Sequence, residues 1–120
     1  MTDKEVRLLT SKLKLLIKKW IKSDALCLKY WHLSFVFERE PSSEHADANA
    51  FCISSWRYQR ATIVFNLPNL TSFADDELEH IFLHEVMHVV LAELELDDGK
   101  DEHIATTLAT MLATIVGKRT

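Results

Sequence analysis

Apolar residues recur at steps of three and four from Val6 through Leu9, Leu13, Leu16, Ile17 and Trp20, with lysines between them. That spacing predicts an amphipathic helix from about Lys4 to Lys22. At Trp31 the period changes to two. Trp31, Leu33, Phe35 and Phe37 alternate with His32, Ser34 and Glu38, as expected of a half-buried strand that ends before Pro41. The polar run from Glu40 to Asn49 reads as a loop. Ala50–Trp56 and Arg60–Leu67 are rich in β-branched and aromatic residues and lie on either side of a three-residue connection, which predicts two further strands in an antiparallel meander ending at Pro68.

After Thr71 or Ser72 as N-cap, the acidic first turn Asp75-Asp76-Glu77 opens a third kind of segment, apolar around most of a helix wheel. Phe82, Leu83, Val86, Met87, Val89, Val90, Leu91 and Leu94 leave one polar stripe of Glu77, His80, His84, His88 and Glu95. The pattern predicts a largely buried helix to about Leu96 whose stripe faces a cleft. Asp97-Asp98-Gly99 would stop it, with Gly99 in the left-handed C′ position. A last helix is expected from Lys100 or Asp101 to Val116, closed by Gly117. The fold class implied is α+β: an N-terminal helix, a small three-stranded, mainly antiparallel sheet, and two C-terminal helices.

With 120 residues, 48% of them hydrophobic, and two Gly and two Pro, the chain is expected to form a single domain over residues 1–120. Its most apolar segment, Ile81–Leu94, is broken by His84, Glu85, His88 and Glu93, so no membrane span is expected. The lysine-rich start differs from a secretory signal, and a cytoplasmic location is the expectation. Cys27 and Cys52 lack C-x-x-C spacing and read as free thiols. Residues 1–24 hold seven Lys/Arg against three Asp/Glu, whereas residues 25–120 hold seven against fifteen. A solvated helix face accounts for the basic end, and nucleic-acid binding is not favoured.

Chemistry concentrates at His84-Glu85-Val86-Met87-His88. On a helix, side chains four apart share a face, so His84 and His88 can turn ring nitrogens toward one ion. Zinc accepts imidazole nitrogen and, in catalytic sites, three protein ligands plus water; Glu85, one position on, would reach that water instead of the metal. The third ligand is open by chemistry among Asp101, Glu102 and His103, which begin the last helix.

HEVMH on a helix, followed after a short turn by a helix beginning Glu102-His103-Ile104-Ala105, resembles the gluzincin branch of zinc metallopeptidases, most of all the small phage- and bacteria-encoded forms. The resemblance implies a zincin-like fold, one Zn2+ per chain on His84, His88 and Glu102, and Glu85 as general base in hydrolysis of a peptide or protein substrate. It also implies a second donor for the oxyanion, for which His103, His45, His80 and Tyr58 are candidates, and an edge strand beside the cleft, expected at Arg60–Leu67. Thr106 stands where the family has an aspartate, which leaves the support of one histidine unassigned. Trp20, Trp31 and Trp56 read as core or core-edge residues. The competing expectation is a non-catalytic module of the same fold that binds a protein partner.

Overall fold

A computed structural model describes residues 1–22, 28, 30–94 and 98–119. Cys27, Glu95 and the expected helix end at Leu96-Asp97 lie outside the described residues. Four α-helices and a three-stranded mixed sheet make up an α+β fold: α1 (Asp3–Ile17), β1 (His32–Glu38), β2 (Ala50–Ser55), β3 (Arg60–Asn66), α2 (Leu67–Leu70), α3 (Asp75–Leu91) and α4 (Asp98–Arg119). α1 starts on a capping box, with Thr2 Oγ1 accepting from Glu5 N–H and the Glu5 carboxylate accepting from Thr2 N–H. It continues as one π-helical stretch over Lys18–Lys22. No described helix is long and apolar enough to cross a membrane.

The sheet corrects the expected meander. Its order is β1-β3-β2, with β2 antiparallel to β3 as predicted but β1 parallel to β3. β3 is therefore the central strand and β2 an edge, the reverse of the placement expected for Arg60–Leu67. The reason is visible in β3 itself. Ala61, Ile63 and Phe65 point to one face and Val64 to the other, and all four are buried, whereas an edge strand with one wet face would alternate. Pro68 does not end the chain's regular structure but occupies the first turn of α2, where its missing N–H costs nothing.

Register aligns three rows on one sheet face: Leu33-Ala61-Ser54, Phe35-Ile63-Cys52 and Phe37-Phe65-Ala50. α3 lies against this face. Phe82, fully buried, stacks on Phe35 at 6.3 Å and Phe65 at 6.1 Å between centroids. Leu9, Leu13, Ile17 and Trp20 close the same core from α1, and Ala105 and Ala109 from α4. The N-terminal segment is also pinned to α3 through Glu79, whose Oε2 accepts from Trp20 Nε1–H at 2.9 Å and Lys19 Nζ at 2.7 Å.

Helix ends differ from expectation. α3 begins at Asp75 with Ala74 as N-cap, later than Thr71 or Ser72, and the Glu77 carboxylate accepts from the Ala74 N–H. Gly99 adopts no positive φ and sits in the first turn of α4, which also runs past Gly117. Among the described residues, the left-handed one is Gln59 (φ 50°), at the turn between β2 and β3.

Candidate metal centre

α3 and α4 pack side by side, and α4 meets each of three α3 histidines one turn apart. His88 Nδ1 lies 3.0 Å from Asp101 Oδ2, His84 Nδ1 3.1 Å from Thr106 Oγ1, and His80 Nε2 3.0 Å from Thr110 Oγ1. The Thr110 hydroxyl donates to the Thr106 carbonyl at 2.9 Å, so it accepts from His80. Fixing Nδ1 of His84 and His88 aims the opposite nitrogens at one point. His84 Nε2 and His88 Nε2 are 3.1 Å apart, and the Glu102 carboxylate reaches both, Oε2 to His84 at 3.1 Å and Oε1 to His88 at 2.9 Å.

Those separations decide what the cluster can hold. In a neutral ring His88 gives its Nδ1–H to Asp101, which leaves a bare Nε2 lone pair facing a carboxylate oxygen. In that form the contact is repulsive alone and favourable around a cation, whereas an imidazolium would donate to both carboxylates. Ligands on bonds of roughly 2.0–2.1 Å in tetrahedral arrangement stand about 3.3 Å apart, close to the three spacings found. Burial holds the His84 pKa below its ordinary value, against the opposing pull of Glu102, so its lone pair is available at neutral pH. Together, His84, Glu85 and His88 form a group whose ligand atoms lie within 4.8 Å of one another and could hold a metal ion. The Glu102 carboxylate stands within 3.1 Å of both imidazoles.

Glu85 is 8% exposed. Burial pushes its carboxyl up to about 7; Glu102 and Asp101 add to the rise and His88 opposes it. It lies at the junction of two lobes of one cleft between α3 and β2. The larger lobe, about 410 Å³, runs from Ala50 and Glu85 to Trp56 and Leu91; the smaller, about 270 Å³, runs from the same two residues to Asn49 and His80. Ala50, Cys52 and Ser54 are the β2 residues facing α3, and their small side chains leave the gap open. Burial also raises the Cys52 thiol to about 12, so it stays protonated.

The structure thus brings His84, Glu85, His88 and Glu102 together and sets Asp101 against the far nitrogen of His88. His103 is exposed and lines neither lobe. Tyr58 is 75% exposed, and the His45 ring stacks on Phe51 at 4.1 Å. Of the four candidates for a second donor, His80 lines the cleft beside Glu85. Trp56, read from its spacing as a core or core-edge residue, also lines it. No protein-family model, curated protein or solved structure matches this chain.

Proposed function

We propose that the protein is a zinc-dependent peptidase of gluzincin type, with Zn2+ on His84, His88 and Glu102. The observation that carries this reading is the convergence of two imidazole nitrogens and a carboxylate within 3.1 Å of one another, beside a buried glutamate at the centre of an open cleft. Two imidazoles and one carboxylate are a donor set suited to zinc, which when bound acidifies water and polarises a carbonyl. Glu85, buried beside the site, then takes the proton of the attacking water and returns it to the leaving amine. β2 supplies the substrate wall. Asn66 N–H donates to the Asn49 carbonyl, so alternation along the antiparallel pair turns the N–H and C=O groups of Ala50, Cys52 and Ser54 away from β3, toward the open edge. An extended peptide can add there by main-chain pairing.

Elemental analysis of the parent and of Glu102→Ala, Asp101→Ala and His103→Ala tests the site. One zinc per chain is expected, lost with Glu102→Ala, weakened with Asp101→Ala and unchanged with His103→Ala. Cleavage of a peptide library by the zinc-loaded parent and not by zinc-loaded Glu85→Gln supports hydrolysis; zinc without any cleavage supports the non-catalytic module.

A further inference from the structure

The two lobes of the cleft differ, and β2 gives them an order. Asn49 and Ala50 lie near His80, Ile81 and Glu85, whereas Trp56 lies near Leu91 and Ala92, so β2 and α3 run in the same direction along the cleft. A peptide pairing antiparallel to β2, the more stable of the two pairings, enters with its N-terminal part at Trp56 and leaves past Asn49. Glu85 marks the reacting bond between them. Beside the carboxylates and imidazole of Glu85, His88, Asp101 and Glu102, the larger lobe is lined by Cys52, Ser54, Trp56, Leu91 and Ala92, while the Phe51 ring stacks on His45 on the other side of β2. At its far end the Trp56–Tyr58 turn meets Ala92–Leu94. The Arg57 guanidinium lies 5.5 Å from the Trp56 ring centroid, over the indole.

We infer that this cleft selects peptides carrying a large apolar or aromatic side chain on the N-terminal side of the reacting bond, received in the Trp56–Leu91 lobe. The inference rests on the peptidase reading for its substrate class and goes beyond it in direction and selectivity. A lobe of about 410 Å³ accommodates a Phe or Leu side chain, and burying one there is worth roughly 10–100-fold in affinity over a small polar side chain.

Binding to zinc-loaded Glu85→Gln tests this without requiring turnover. Acetylated, amidated peptides that differ only in one central residue, Phe, Ser or Lys, are titrated while backbone amides are followed by NMR. The Phe peptide is expected to bind roughly 10–100-fold more tightly than the Ser peptide, with slowed hydrogen exchange at the Ala50, Cys52 and Ser54 amides. The preference should vanish in Trp56→Ala and survive in part in Trp56→Leu. A nitroxide on the peptide N-terminus should broaden resonances of Trp56 and Leu91, and one on the C-terminus those of His80 and Ile81. Equal binding of the three peptides, preference for Lys, labels in the reverse order, or a Phe preference unchanged in Trp56→Ala would overturn the inference. Zinc content of each variant is read separately. Its loss from the parent removes the peptidase reading itself, while bound zinc with no Phe preference removes only the selectivity.

Discussion

Asp101 and Glu102 are neighbours in the chain with different tasks at the site. Glu102 faces both Nε2 atoms, whereas Asp101 holds the far nitrogen of His88. Partners of this kind fix ring orientation and raise ligand basicity. Asp101→Ala is therefore expected to weaken zinc by about 10–100-fold in chelator competition, and Thr106→Val, which removes an uncharged partner of His84, by less. Glu85 carries a second expectation, in metal-free protein. A carboxyl raised to about 7 by burial keeps in the folded state a proton that the unfolded chain loses near 4.5. Apo stability then falls as pH rises from about 4.5 to 7 and stays low above it. Glu85→Gln should remove that fall and leave the apo protein more stable at pH 8 by on the order of 1–3 kcal/mol, with no gain at pH 4, by urea unfolding in chelator. At this scale HEVMH was legible because its spacing and its chemistry lie on one helix. The pairing of Asp101 with His88 was not, because it depends on how α4 is rotated against α3, which no local pattern specifies.

Among the elements, helices were read more faithfully than strand neighbours. A period of two says that Leu33, Phe35 and Phe37 share a face, but it carries neither the partner nor the direction of β1, and the parallel pairing with β3 joins residues 28 positions apart, as His32 with Arg60. The central place of β3 had a usable signal in the consecutive apolar residues Ile63, Val64 and Phe65, which face both sides of the strand. The turn joining β2 to β3 is strained at Gln59, a non-glycine in the left-handed region. Gln59→Gly is expected to stabilise the fold by roughly 0.5–1 kcal/mol, seen as a higher urea midpoint with unchanged slope. Phe82 ties β1, β3 and α3 together with no exposure. Phe82→Ala should cost about 3–5 kcal/mol.

For the whole molecule, the centre joins α3 to the start of α4, and Ala105 and Ala109 bring the same helix into the core. Zinc should therefore raise the Tm of the parent by adding RT ln(1 + [L]/Kd) to its stability, about 2.7 kcal/mol at a free concentration 100 times Kd. The same addition should leave Glu102→Ala nearly unmoved; equal Tm gains in both proteins would place the metal elsewhere.

The ladder between these helices has a property of its own. Thr106, Thr110 and Thr114 recur every turn of α4, and the hydroxyls of Thr110 and Thr114 each donate to a carbonyl four residues back. If α4 slid by one turn, about 5.4 Å, Thr106, Thr110 and Thr114 would face His88, His84 and His80, again hydroxyl against imidazole. The threonines alone therefore cannot tell one alignment from the next. Glu102 can, since only the observed alignment places its carboxylate between the two Nε2 atoms, and a bound cation would act as a proofreader of helix alignment as well as a reagent.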